Sequence, residues 1–498
     1  MKFTELSGHD LPGGVLTEWM PRAEREPSRW DADSRPLTYD HESHIRRASS
    51  ASGQSSWLGA TFIIERGLDT GAMHHALLGW IRRHEAFLTT ASVTGAPLDG
   101  ESAAAIHTSR RTVTGADVSL DRHTVGRLAG DDITTRLTTQ FTERLSPLQW
   151  PHCMVATIAD PDAPDTHRPR VIVVFGADHS VMDAYSMLLS INEIRQLYLA
   201  AVDGTEAGLA EIGSHADFSA VHRGVGADLT VDHPAVDRWS RFLAESDGDF
   251  PALGLPLVDD HGTADHGRPQ RGRADFVATS EQMNALTDLC RAEGHTTQTA
   301  VIASIALALA QLTGRPRMRA TMPMHTRTEP RFLESVGWYV GIGPLDIDLT
   351  LTETFTDALA ATSAGIVEAK RLSRLPYPPI AQLLGSDSEP RFVLSYLDLR
   401  FVPGAADWPE WEARTLRSEA RSDNEVYLWV ARTPAGVTVS SRYPDTAVAD
   451  TNVRRLVATA CAILDDAVLH GARMEVPSTV RGAGLIDDAD TGVERLLA

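Results

Sequence analysis

Lysine is almost missing from this chain. Only Lys2 and Lys370 occur among 498 residues, and neither has a chemically suggestive neighbourhood, which argues against Schiff-base and pyridoxal chemistry. Cysteine is equally sparse. Cys153, Cys290 and Cys461 are odd in number and far apart, a pattern that offers no disulfide framework and fits a reducing compartment. Basic residues are outnumbered, 46 against 67 acidic, for a net charge of −21; nonspecific binding to nucleic acid or anionic membrane is therefore not expected. Long apolar runs are missing too. The longest, residues 300–310, is broken by Ser304 and is too short to span a bilayer, and the N-terminal MKFTELSGHDLPGG has no apolar signal core. What remains is a globular composition, 42% hydrophobic, with room for two large lobes or three ordinary domains. The expectation is a soluble cytoplasmic protein with no bound metal or redox cofactor.

The stretch around which the rest is organised is residues 171–200, VIVVFGADHSVMDAYSMLLSINEIRQLYLA. Four β-branched residues and Phe175 open it, as in a strand buried on both faces. Gly176 ends that run. From Ala184 the period changes, with Leu188, Ile191, Ile194 and Leu197 marking an amphipathic helix. Between strand and helix stand His179 and Asp183. A titratable imidazole at a strand end, beside a helix N-terminus, is well placed for chemistry. Two assignments stay open for each residue: Asp183 as a plain N-cap or as part of a site, and His179 as a hydrogen-bonded loop histidine or as a proton carrier. Zinc is disfavoured, because no HExxH, CxxC or nearby third ligand follows. A dinucleotide fingerprint is rejected as well, since Asp346 stands where Gly341 and Gly343 would need a third glycine.

The segment from Asp178 to Ala184, DHSVMDA, resembles the HHxxxDG signature of condensation domains and of the wider HxxxD acyltransferase superfamily. It departs twice, with Asp178 for the first histidine and Ala184 for the glycine. Further motifs follow in family order. Residues 83–88 (RHEAFL) resemble the RHExLR motif, residues 215–219 (HADFS) a short packing motif, and residues 335–340 (SVGWYV) the SVGWY segment of PapA-type, polyketide-associated acyltransferases. Residues 376–380, 392–400 and 424–432 continue the likeness, which runs from about Leu16 to Asp445.

The resemblance implies an α/β fold of two chloramphenicol-acetyltransferase-like lobes in a V with a central tunnel. The lobes are expected at 1–246 and 274–498, with a Gly-, Pro-, His- and Asp-rich linker at 247–273. It implies His179 as general base, Asp183 as a structural partner of Arg327, and the Ala184 backbone N–H as an oxyanion donor. Trp338, Tyr339, Ser395 and Tyr396 are candidates for the tunnel wall. The implied donor is a phosphopantetheine thioester, on an acyl or peptidyl carrier protein or on coenzyme A. The implied acceptor is a small-molecule hydroxyl, so that the product is an ester in lipid or natural-product biosynthesis. A stand-alone amide-forming condensation enzyme and a noncatalytic carrier-binding module are the alternatives. Docking of an acidic carrier requires a basic face, for which Arg315, Arg317, Arg319, Arg371 and Arg374 are candidates.

Secondary structure is expected as a strand at 57–65 and helices at 70–89, 124–142, 280–293, 297–312 and 452–469. Residues 24–56, rich in Ser, Arg, Asp and Pro, are expected to be a connection with little structure of its own.

Overall fold

In the computed structural model, residues 3–49, 55–94, 107–160, 169–259 and 267–476 are described. The strand Val171–Asp178 is buried along its whole length and occupies the middle of a seven-stranded sheet. In order, its members are Phe3–Glu5, Arg414–Arg417, Trp57–Ile64, Val171–Asp178, Cys153–Ala159, Gly14–Ala23 and Val118–Leu128. Both faces of this strand are covered. The helices Thr70–Arg83 and Ala184–Asp203 pack Leu77, Trp80, Met187 and Ile191 on one face. The helix Gly130–Arg144 packs Ile133, Leu137 and Phe141 on the other. Burial on two sides explains the unbroken β-branched run. Gly176 belongs to the same packing: a Cβ there would lie 2.9 Å from Leu145 and 3.0 Å from Phe141.

A second sheet of six strands forms the other lobe, in the order Gln270–Thr279, Gly436–Pro444, Val426–Thr433, Phe392–Asp398, Arg317–His325 and Val340–Asp348. Its core includes the helix Thr297–Thr313, whose residues Ala300 to Ala310 are all buried; small alanine side chains let this helix sit inside other elements. Among the described residues, no single helix is long and apolar enough to cross a membrane. Together these are two α/β lobes. They are tied together, because Arg414–Arg417 lies between two strands of the second sheet in sequence, Phe392–Asp398 and Val426–Thr433, yet pairs with Trp57–Ile64 in the first. The proposed boundary at 247–273 has residues 260–266 outside the described set, and Gln270 already begins a strand. Residues 161–168 and those after 476 also lie outside the described set.

Three expectations need correction. The helix expected at 124–142 is a strand, Val118–Leu128, followed by the helix Gly130–Arg144. Val125 and Leu128 satisfy a helical period, but the segment pairs with Gly14–Ala23 and bends at Gly126, whose φ is 110°. The connection at 24–56 contains a helix, Tyr39–Ala48, capped by the Thr38 hydroxyl, which accepts from the His41 N–H. Only His41, His44 and Ile45 are buried on it, so its sequence carries no apolar stripe to announce it. Residues 1–21 read from the sequence as an edge strand or an anchoring arm; Phe3–Glu5 is an edge strand, but Gly14–Ala23 is an interior strand paired on both sides.

Candidate active site

Asp183 caps the helix Ala184–Asp203 by accepting the Ser186 N–H at 2.7 Å. Its carboxylate has further partners. Arg327 donates from Nη1 to Oδ2 at 2.8 Å and from Nη2 to Oδ1 at 3.1 Å, and the Tyr339 N–H donates at 3.0 Å. Arg327 Nη2 also donates to Ser186 Oγ at 2.7 Å and to the Ser335 carbonyl at 3.3 Å. The guanidinium lies over the Tyr339 ring at 4.3 Å. Both charges are buried, and each is surrounded by groups that compensate its lost hydration, as a buried pair requires. Burial alone would raise the Asp183 carboxyl. The charge and hydrogen bonds of Arg327 outweigh it and hold Asp183 below the usual carboxylate range. This clamp fixes the turn after Val171–Asp178 to the segment 335–339 of the other half of the chain.

His179 lies on that turn, with its backbone N–H donated to the Ser56 carbonyl at 2.8 Å. Its ring meets the indole of Trp338, centroids 4.1 Å apart and planes at 38°. Nδ1 is sealed from solvent without a hydrogen-bond partner, which leaves Nε2 as the nitrogen open to the cavity. Burial pushes the imidazole down to about 4, and the nearby His44 adds to the effect, against a smaller upward pull from its own backbone carbonyl, Asp178 and Asp183. His179 is therefore neutral at pH 7 and has a lone pair to offer.

The cavity it faces measures about 2180 Å³ and is walled by both halves of the chain. Asp183, Ala184, Trp338, Ser395 and Tyr396 line it along with His179. At Ala184 the first helical turn presents N–H groups that have no carbonyl four residues back. Tyr339 does not line the cavity. It is fully buried, ringed by Phe218, Phe332 and His215, and donates its hydroxyl to Ser335 at 2.8 Å. Adjacent residues of an extended segment point to opposite sides, so Trp338 faces the cavity and Tyr339 the core.

His84, in the RHExLR-like stretch, is buried and bonded through Nε2 to Glu193 at 2.8 Å. His215 is also buried, with Nε2 donating to the Trp338 carbonyl at 3.0 Å. These two histidines pack the site from behind. Of the arginines proposed as a basic face, Arg317 is paired with Asp346 and Glu245, and Arg371 with Glu368. Arg319 donates to the carbonyls of Phe242 and Glu245. Arg374 and Lys370 line the cavity itself. Among the described residues, no group of three or more His, Cys, Asp or Glu could hold a metal ion.

One residue absent from the sequence expectations joins the site. His44, on the helix Tyr39–Ala48, lines the cavity and places Nε2 at 3.2 Å and 3.3 Å from the two oxygens of Asp178. Asp178 is fully buried and also accepts the Ser180 N–H at 2.8 Å. Burial would raise its carboxyl, but His44 above all holds it low. The available signal was the acidic residue itself: a carboxylate at the end of a buried strand needs a donor.

The Condensation domain family profile matches residues 166–470, more than half of the chain. Among curated proteins, the acyltransferase PapA3 of Mycobacterium tuberculosis is 26% identical over 310 residues, which is 60% of this chain and 64% of that protein. The chain thus matches less than two thirds of PapA3. Trehalose-2-sulfate acyltransferase PapA2 of Mycobacterium bovis is 23% identical over 463 residues, 90% of this chain and 93% of that protein. Among solved structures, PapA2 acyl transferase superposes with a TM-score of 0.82 at 21% identity, covering 94% of this chain and all of that one. The condensation domain from Monacolin K polyketide synthase MokA gives 0.66 at 17% identity, covering 89% and 99%.

Proposed function

The chain belongs to the condensation-domain family, and from that premise we propose that it is an acyltransferase that moves an acyl group from a phosphopantetheine thioester to a hydroxyl. The observation that carries this reading is His179: a neutral imidazole with one nitrogen open to a cavity of about 2180 Å³ that both lobes wall. Two reactants can meet there from different sides.

His179 Nε2 accepts the acceptor's hydroxyl proton as the oxygen attacks the thioester carbonyl carbon. The resulting tetrahedral oxyanion is stabilised by the first-turn N–H of Ala184 and the positive end of the helix Ala184–Asp203. Collapse of the intermediate breaks the C–S bond, and the imidazolium returns its proton to the leaving thiolate. Base catalysis of this kind contributes about 10²–10⁴-fold, and alignment of the two reactants at least as much. Asp183 and Arg327 hold the turn and take no proton. Trp338, Ser395 and Tyr396 shape the wall along which the substrates lie. No bound cofactor takes part, because the donor arrives already activated.

Ester formation is favoured over amide formation by the likeness to trehalose-2-sulfate acyltransferase PapA2, named for an acceptor with hydroxyl nucleophiles. The noncatalytic alternative draws on the two altered motif positions, Asp178 and Ala184. Incubation with acyl-CoA or acyl-loaded carrier protein and a panel of alcohols and amines, followed for free thiol and product mass, tests the proposal. Thiol release with an ester product is expected. An amide product points instead to the condensation enzyme, and carrier binding without thiol release to the noncatalytic module.

A further inference from the structure

In the second sheet Arg317–His325 and Phe392–Asp398 are neighbours, yet among the described residues they pair at a single position, Thr321 with Val393. Beyond it the strands part, and the cavity runs through the gap. Met322, Pro323, Ser395 and Tyr396 all line it, although consecutive residues of a strand face opposite sides. On the far side, beside the helix Ser280–Ala292, the cavity reaches Arg432.

Arg432 is only 4% exposed, and arginine keeps its charge. Its Nη2 donates to Thr287 Oγ1 at 3.0 Å, and the Thr287 hydroxyl is itself directed at the Met283 carbonyl at 2.5 Å. Among the described residues the guanidinium forms no ion pair, and its Nε and Nη1 have no partner and are not sealed from the cavity. The nearest acid across the strands, Asp398, is taken by Arg400, whose Nε and Nη2 donate to it at 2.8 Å and 2.7 Å. One positive charge is therefore left over. Next to it, the Tyr396 hydroxyl is buried with no hydrogen-bond partner. Burial pushes this phenol up to about 12 against the pull of Arg432, so it keeps a proton to donate.

A buried cation without a counter-charge is costly, and an anion entering through the gap supplies one. The phosphate of a phosphopantetheine arm is tied to a carrier or a nucleotide, which holds it near the surface. A carboxylate at the far end of an acyl chain has no such tie. Arg432 stands level with Asp398, three residues along the strand from Ser395, or about 10 Å at the rise of a strand, a span suited to a chain of several carbons. We propose that Arg432, with Tyr396 beside it, forms an anion subsite in the gap between these strands, and that it binds a free carboxylate at the far end of the donor's acyl group. Its use rests on the acyltransferase reading, but its binding can be tested without turnover.

The test uses the full chain. Suberic acid monoamide, which has one carboxylate, and octanamide, which has none, are titrated by calorimetry. The monoamide should bind more tightly to the wild type, and Arg432→Gln should weaken it about 10–100-fold, the worth of a hydrogen bond to a charged group. Tyr396→Phe should weaken it about fivefold, and it carries the test if Arg432→Gln does not fold. Equal affinity of the wild type for the two ligands overturns the inference, as does a loss in the variants that octanamide shares. In the transfer assay, suberoyl- and octanoyl-pantetheine are compared with their phosphorylated forms. The suberoyl-to-octanoyl ratio of kcat/KM should fall in Arg432→Gln. If that variant instead loses a preference for the phosphorylated arm, the phosphate occupies the subsite and the inference is overturned. If wild-type protein releases thiol from no donor, the acyltransferase reading fails, and the calorimetry still decides the subsite.

Discussion

The two ends of the short turn from Asp178 to Asp183 are treated in opposite ways. At Asp183, the carboxylate accepts from the Ser186 and Tyr339 N–H groups and from Arg327, Arg327 also donates to the Ser186 hydroxyl and the Ser335 carbonyl, and both charges are sealed. At His179 a ring that is nearly as enclosed has one nitrogen with no partner and another open to the cavity. Hydrogen bonding from several sides makes a rigid clamp, because any movement would leave a charge exposed to apolar surroundings. An unsatisfied ring is the opposite, a group whose best partner is a substrate. The difference separates what holds the turn from what acts at its tip.

The largest effect expected from breaking this contrast is at Asp183. Asp183→Ala leaves Arg327 buried without its counter-charge, at a cost of about 3–5 kcal/mol, read as an earlier denaturant midpoint and lower yield of folded protein. An unchanged midpoint would show that the clamp is dispensable. Arg327→Lys sharpens the point. A single ammonium cannot reproduce the fork that reaches Asp183, Ser186 and Ser335, and a stability loss of about 1–3 kcal/mol should follow. Equal stability of the lysine variant would reduce the clamp to simple charge neutralisation.

A smaller effect is expected from acid. His179 and His222 are pushed down to about 4 and His215 to about 3, in each case mainly by burial, whereas unfolded histidine titrates near 6.5. Between those values the unfolded chain binds more protons than the folded one, so stability falls as pH drops from about 6.5 towards 4 and is unaffected by these groups above 6.5. Equilibrium unfolding across that window checks the sign. The acid limb of kcat/KM should likewise be displaced below 6.5, towards about 4, because the free enzyme's base stays neutral until then. A limb at the ordinary histidine value would place His179 in a wetter setting than the one described.

The sequence was most legible where one physical demand dominated. The buried run at 171–175 and the change of period after Ala184 marked a central strand and its helix, because burial on both faces selects β-branched residues. Where two periods fit the same letters it misled, as at Val125 and Leu128, which lie on a strand rather than a helix. Polar helices were invisible: Tyr39–Ala48 is held by Arg35, Arg223 and Glu42 and not by an apolar stripe. Within the site, Asp183 and Arg327 lie 144 residues apart in sequence, and spacing could not have joined them. Only the likeness to a family suggested that pairing. His44 lay beyond both approaches, since its link to Asp178 spans 134 residues and departs from the family motif. Tyr339 was misplaced for a simpler reason, as the alternation of an extended segment sends it away from Trp338.

The account stands on the lone pair of His179. The most direct measurement compares wild-type protein with His179→Ala for thiol release and ester formation from the same thioester donor and acceptor, with denaturant unfolding run alongside. Transfer should fall by about 10²–10⁴-fold while the unfolding midpoint holds, because among the described residues the ring has no hydrogen bond to another side chain to lose. Transfer by His179→Ala at the wild-type rate would contradict it.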